Sequence, residues 1–403
     1  MAYNRKQRLN DNIKAIETAF ILDREQRTPT ARERLLLERY CGFGGLKCIL
    51  NPARELADAV HWAKSDLELF APTVELHRLI RENSKNESEY KQLMDSLKQS
   101  VLTAFYTPSA VTEVLTDVLK EHQIIPEKVL EPSAGIGAFV DSVLDNNPKA
   151  DIMAFEKDLL TGKILRHLHP EQKVRIEGFE KIEKPFNDYF DLAISNIPFG
   201  DVAVFDPSYT AMKGMRALVT RRIHNYFFVK ALDTVRDGGL VAFITSQGVL
   251  NAKNNSAARF MMLYHADLVS AIRLPNNLFT ENANTEVGSD LIILQKNTQK
   301  ESLRGDDNLL DTVYNDENRI PTNNYFLEHP ERIIHTTAKL DTDPFGKPAM
   351  IYTHEDGVEG IAEDLRKMLH EDFKKNLNLK RYLGIEETKA EEVKEVEETE
   401  KIE

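Results

Sequence analysis

Between residues 100 and 297 the chain alternates short apolar runs with helix-like stretches, and this alternation constrains its fold more than any other feature. The runs are Lys128–Glu131, Asp151–Glu156, Val174–Ile176, Phe190–Ser195, Leu240–Thr245, Leu268–Arg273 and Asp290–Gln295. They are rich in Ile, Val, Leu, Phe and Ala. Strands separated by helices predict a mostly parallel sheet covered on both faces. Tyr226–Val235 reads as one intervening helix, with Asp237-Gly238-Gly239 expected to close it. The expected fold class is α/β: a doubly wound, mostly parallel, seven-stranded Rossmann-like sheet. In such sheets ligands bind beyond the carboxyl ends of the strands. Most of the polar motifs below fall at those ends.

The flanks differ from this central part. ARERLLLERY (31–40) and VELHRLIREN (74–83) carry helical apolar spacing. Between them, Cys41-Gly42-Phe43-Gly44-Gly45-Leu46-Lys47 lacks the glycine gap and Lys-Ser/Thr ending of a nucleotide P-loop, so it reads as a tight turn. SKNESEYKQ (84–92) reads as a linker or an exposed helix. After residue 298 the segments DDNLLDTVYNDEN and TDPFGKPAM are turn-rich, and Gly360–Leu377 returns to a helical pattern. The expected organisation is a helical N-terminal region over 1–98, the sheet domain over 99–297, an irregular C-terminal extension over 298–385 and an acidic tail over 386–403.

Lys+Arg 52 against Asp+Glu 65 gives a net charge of −13 in 403 residues. Nine Glu and three Lys in the tail account for −6, leaving −7 on the rest. An acidic body is no general trap for polyanions, because phosphate neutralisation dominates non-specific nucleic-acid affinity. Contact with DNA therefore requires a local basic patch or a partner. Lys213, Arg216, Arg221 and Arg222 are the candidate patch. No apolar run approaches the ~18 residues of a membrane helix, and the N-terminus has no signal-like core. Cys41 and Cys48 are two cysteines only, too few for a disulfide framework, and read as reduced thiols of a cytoplasmic protein. His167-x-His169 lacks a third ligand at recognisable spacing, so no metal site is expected.

Three motifs suggest a ligand loop. In Val129-Leu130-Glu131-Pro132-Ser133-Ala134-Gly135-Ile136-Gly137-Ala138-Phe139 a strand ends in an acid and a proline, and a glycine loop enters a helix. Val140 occupies the place of a third glycine, which disfavours pyrophosphate. The acid suits a zwitterionic or cationic ligand better than phosphates. Ala154-Phe155-Glu156-Lys157 ends the next strand, and Glu156 follows Gly135 by 21 residues, near the spacing at which an acid receives ribose hydroxyls. Phe105-Tyr106-Thr107-Pro108 precedes the helix Ser109–Glu121. Thr107 there reads first as an N-cap, with a second role near the ligand.

Asp191-Leu192-Ala193-Ile194-Ser195-Asn196-Ile197-Pro198-Phe199-Gly200 ends the fourth strand. An Asn, a proline-stiffened turn and an aromatic can read a planar amine. The Asn oxygen accepts one proton, the next carbonyl accepts another, and Phe199 stacks on the ring.

FYTP, LEPSAGIGAF, AFEKD and SNIPFG occur in the order used by N6-adenine DNA methyltransferases, and the chain resembles that family. HNYFFVKALDTVRDGGLVAFITSQGVL and AIRLPNNLF…GSDLIILQK extend the resemblance. ERYCGFGGL, NNYFLEHPE and DPFGKPAMIY are similar to the methylase module of very large methylase–helicase proteins of bacterial mobile elements. The resemblance covers about residues 30–375. It implies the methyltransferase form of the doubly wound sheet, S-adenosylmethionine as cofactor and DNA as substrate, with base flipping. It places Thr107 near the methionine end of the cofactor and counts Tyr106 among the cofactor-binding residues. Glu131, Ala134, Gly135 and Gly137 would form its loop, Pro132 and Phe139 would also be cofactor-binding, Glu156 would hold the ribose, and Phe179 would lie beside the adenine. Asn196, Ile197, Pro198 and Phe199 would be catalytic.

Two positions depart from the family. Ile197 stands where a proline is usual; the chemistry needs only its carbonyl, but isoleucine gives up a fixed φ and keeps an N–H that needs a partner. Gly178 stands where an Asp often receives the adenine amine. A helicase or target-recognition partner is the expected source of sequence readout. Two other readings keep the fold: methylation of a glutamine amide in protein, and a non-catalytic S-adenosylmethionine- or DNA-binding anti-restriction module.

Overall fold

All seven expected strands form one sheet in the order β3-β2-β1-β4-β5-β7-β6. They are β1 (Lys128–Glu131), β2 (Asp151–Phe155), β3 (Lys173–Arg175), β4 (Phe190–Asn196), β5 (Val235–Ser246), β6 (Ala266–Leu274) and β7 (Ser289–Lys296). The first five pair in parallel. β7 inserts antiparallel between β5 and β6, and every residue of it is buried. This is a computed structural model, and it describes residues 4–103, 106–212, 214–280, 286–303, 307–314, 319–343 and 346–385. Phe105, Lys213 and the acidic tail lie outside the described residues.

The N-terminal region contributes helices α1 (Arg5–Glu25), α2 (Ala31–Leu37), α3 (Phe70–Glu82) and α4 (Glu87–Thr103). The polar stretch 84–92 belongs largely to α4, which runs past residue 98. A capping box between Thr30 and Glu33 starts α2. The 41–47 segment is a turn, with Gly42 and Gly45 at positive φ, and Asn12 holds it through Cys41 N (2.9 Å) and Gly42 O (2.6 Å).

Helices α5 (Ser109–Glu121) and α6 (Ala138–Asn146) cover one face of the sheet. Helix α7 (Leu159–Leu168) meets that face through Leu165 and packs on the N-terminal helices through Leu160, Ile164 and Leu168. Helices α8 (Ile223–Thr234) and α9 (Ser256–His265) cover the opposite face. The C-terminal extension returns to the first face as α10 (Gly357–Asn376), burying Ile361, Leu365, Leu369 and Phe373 beside α5. Before it lie two small antiparallel hairpins, Thr312–Tyr314 with Pro321–Asn323 and Thr337–Thr342 with Pro348–Thr353.

One expected helix stop is instead a strand bulge. Helix α8 ends at Thr234, and Asp237-Gly238-Gly239 lies within β5, where the register jumps from Phe190↔Val235 to Leu192↔Leu240. Gly238 has φ +74°, and a Cβ there would strike the Arg381 carbonyl, so glycine is required by both conformation and contact. No helix among the described residues is long and apolar enough to cross a membrane.

Candidate active site

The glycine loop connects β1 to α6 across residues 132–137. Gly135 has φ +56° and Gly137 +92°. A Cβ on Gly135 would lie 2.8 Å from the Tyr106 ring, and one on Gly137 2.6 Å from His169 Nε2. Both positions therefore need glycine for conformation and for close approach. Ala134 N donates to the Phe155 carbonyl (2.8 Å), and Gly135 N donates to Glu156 Oε2 (2.8 Å). The other Glu156 oxygen accepts from Asp158 N (2.7 Å). Asp158 in turn caps α7 through Thr161 N (2.7 Å) and accepts from Ser96 Oγ (2.8 Å). The two acids of Glu156-Lys157-Asp158 thus divide their work: the first holds the loop, the second starts a helix.

Glu131, at the tip of β1, is 2% exposed, and its Oε2 has no hydrogen-bond partner among the described residues. Burial pushes its carboxyl well above the usual range, and the neighbouring Glu156 and Asp141 add to the effect. Burial, then Asp158, pushes Glu156 up to about 8. The Thr107 hydroxyl is also buried without a partner. The expected N-cap role fails: α5 starts at Ser109 behind Pro108, and no side chain caps it. Buried polar atoms left unpaired cost about 1–3 kcal/mol each unless a ligand completes them. A ligand bringing a positive charge and hydroxyl donors fits this set. Pro132 and Ala134 are buried in the loop, whereas Phe139 packs into the core. Tyr106, its ring against Gly135, hydrogen-bonds Thr161, whose Oγ1 lies 3.2 Å from the Tyr40 hydroxyl. The N-terminal region thereby reaches the loop.

At the end of β4, Ser195 Oγ donates to the Ser133 carbonyl (3.2 Å), tying the tetrad to the glycine loop. Val129, Leu192 and Ile194 belong to the core under α5 and α6. By strand alternation Glu131 and Asn196 lie on that same face. Ile197 N donates to the Ile244 carbonyl (3.0 Å), and its side chain is 1% exposed in the opposite core. The N–H that proline would lack is therefore satisfied by continuing the ladder one residue. Pro198 and Phe199 are half-buried. The Phe199 ring meets Phe279 edge-on, with centroids 6.4 Å apart and planes at 76°.

Phe179 is buried among Phe155, Tyr226 and Phe227, in the core on the sheet face opposite Val129 and Ile194. Beside it, the Glu180 carboxyl folds back into the space a side chain on Gly178 would fill. Phe279, set against the Phe199 ring, lies outside the four motifs; the signal for it was an aromatic closing RLPNNLF. Of the candidate basic patch, Arg216 is paired twice with Asp233 (2.6 and 2.9 Å) and Arg222 with Asp201 (2.8 Å) and Asn255 (2.5 Å). Arg221 is exposed. His167 is held by Asp23 (2.9 Å), and no metal-binding group of three or more His, Cys, Asp or Glu occurs among the described residues.

The model of the N-6 DNA Methylase family matches residues 88–391. The chain belongs to that family. It is 29% identical over 201 residues to Defense against restriction protein B of Escherichia phage P1, covering 48% of this chain and 8% of that protein. It is 25% identical over 173 residues to the type II methyltransferase M.XamI of Xanthomonas campestris pv. amaranthicola, covering 40% of this chain and 33% of that one. The chain thus spans a third or less of these relatives. Among solved structures, the type I restriction-modification methyltransferase subunit of Streptococcus thermophilus aligns with a TM-score of 0.41 and 13% identity, covering 73% of this chain and 80% of that one.

Proposed function

We propose that this N-6 DNA methylase transfers a methyl group from S-adenosylmethionine to the N6 amine of adenine in DNA. The observation that carries the reading is the Ser195–Ser133 hydrogen bond, which locks the Asn196–Phe199 turn against the glycine loop at adjoining strand ends. The orphaned Glu131 and Thr107 atoms and the half-buried Glu156 fit the cofactor: Glu131 for its ammonium, Glu156 for its ribose hydroxyls, Thr107 near its methionine end. When bound, the cofactor supplies an electrophilic sulfonium methyl.

The chain's own contribution is positioning. The target amine is unreachable inside a base stack, so the adenine must swing out. Phe199, braced by Phe279, stacks on it. Asn196 and the Ile197 carbonyl hold the amine protons and aim its lone pair. Holding two reactants in line is worth as much as ~7–11 kcal/mol of barrier. No titratable base is needed, since the proton leaves to solvent after transfer. With Arg216 and Arg222 committed to ion pairs, sequence readout falls to a partner or to a domain outside this chain.

The test uses S-adenosylmethionine labelled on its methyl and unmethylated DNA. Wild type labels DNA; Asn196→Ala binds the cofactor by calorimetry but transfers nothing. Undiminished labelling by the variant, or label on protein glutamine instead of DNA, overturns the reading.

A further inference from the structure

We propose that Phe205 is a wedge that enters the DNA stack at the place vacated by the flipped adenine and holds the duplex open there. The inference rests on the N6-adenine reading above and adds to it a residue beyond the tetrad.

Phe205 is held outwards by its neighbours. It is 78% exposed, yet the residues on either side of it are fixed. Val204 packs against the core, and its N–H donates to the Thr220 carbonyl (2.8 Å). Asp206 is buried, and its carboxylate accepts from Ser208 N (2.8 Å), the Tyr226 hydroxyl (2.7 Å) and Lys230 Nζ (3.2 Å). Its backbone is extended, with φ −121° and ψ 107°. Successive side chains of an extended chain point to opposite sides, so two inward anchors drive the residue between them into solvent. The same loop also exposes Val202 and Met212.

The loop lies on the tetrad's side of the sheet. Helix α8 ends beside the start of β4, where Tyr189 N donates to the Thr234 carbonyl (2.8 Å). Its head is therefore at the carboxyl end of β4, and there Arg222 holds Asp201 (2.8 Å) and Thr220 holds Val204. Six residues separate Phe199, the stacking partner of the target base, from Phe205, at most ~20 Å of chain. A flipped nucleotide stays bonded to its strand, so the gap it leaves opens beside the pocket. A flat ring fits a slot one base high, about 3.4 Å. Arg221, next in the chain after Thr220, is exposed and supplies a cation for an adjoining phosphate. Unstacking and unpairing disfavour the flipped state, and a ring that stacks in the gap offsets that cost.

The test measures kcat/KM for methyl transfer to two duplexes. One carries an adenine that the labelling assay above has shown to be methylated, paired normally. The other has an abasic position opposite the same adenine, which lowers the cost of flipping. Thermal melts confirm that each variant is folded. On the paired duplex Phe205→Ala should lose about tenfold or more, the size of one base–aromatic stack, and Phe205→Trp should stay within about threefold of wild type. On the abasic duplex Phe205→Ala should come within about threefold of wild type. Undiminished transfer by Phe205→Ala to the paired duplex, or an equal loss on both duplexes, overturns the wedge and leaves the adenine reading standing. Transfer by wild type to neither duplex overturns both.

Discussion

Replacing Ile197 with proline would recreate the usual family tetrad, yet the structure predicts that it harms this protein. Ile197 N donates to the Ile244 carbonyl at 3.0 Å, extending the β4–β5 ladder past Asn196. Proline removes that donor and leaves a buried carbonyl unpaired, at about 1–3 kcal/mol. The Ile197 side chain, 1% exposed in the core with Ala193 and Phe243, also loses part of its packing. One or two buried methylene equivalents are worth about 0.8 kcal/mol each. Together the loss is about 2–5 kcal/mol, a large share of a typical folding stability of about 5–15 kcal/mol. Ile197→Val, which keeps the N–H and most of the volume, should cost only about 0.5–1.5 kcal/mol. Urea denaturation of the three proteins reads this as midpoint shifts at constant slope. A proline variant as stable as wild type would refute the reasoning, because it would mean that the ladder bond and the buried side chain contribute nothing.

Other consequences follow from the site. Thr107→Val removes a buried hydroxyl with no partner. The ligand-free protein should keep or slightly raise its melting temperature while its cofactor affinity falls; a lower melting temperature without ligand would contradict this. Glu131 and Glu156 are both raised above their ordinary values, the latter to about 8. The folded protein holds protons there that the unfolded chain has released. This contribution is complete below the unfolded value near 4.5 and is lost as pH rises through about 8. A ligand that favours the ionised carboxylates must displace those protons. Cofactor affinity should therefore rise from pH 6 to 8, with proton release measurable by calorimetry in two buffers of different ionisation enthalpy; flat affinity across that window would exclude it. Arg216→Gln breaks the double hydrogen bond to Asp233. It should lower stability by about 1–2 kcal/mol and leave the salt dependence of DNA binding unchanged, since a paired arginine releases few counterions. A flatter salt slope would return Arg216 to the DNA contacts.

Much of the fold was legible because the chain's local preferences agree with its topology. β1 falls over Lys128–Glu131 as read, and the other strands shift by a few residues at their ends. The parallel sheet was readable from alternation, but the antiparallel β7 was not, since a fully buried strand looks the same in either direction. Asp237-Gly238-Gly239 has the composition of a helix stop; only the approach of Arg381, far along the chain, shows why a strand bulge needs it. The tetrad and glycine loop were readable as motifs, whereas their junction through Ser195 and Ser133 depends on strand pairing. Thr107 looked like a cap because Thr-Pro so often starts a helix, but the helix begins one residue too late for it. Arg216 and Arg222 looked like a basic patch because their partners, Asp233 and Asp201, are brought in by folding.

The most direct test is chemical. Unmethylated DNA is incubated with the purified protein and S-adenosylmethionine, digested to nucleosides and resolved by mass and chromatography. N6-methyldeoxyadenosine should appear with wild type and be absent with Asn196→Ala. A methyl group found on cytosine or on protein, with deoxyadenosine unmodified, would contradict the account.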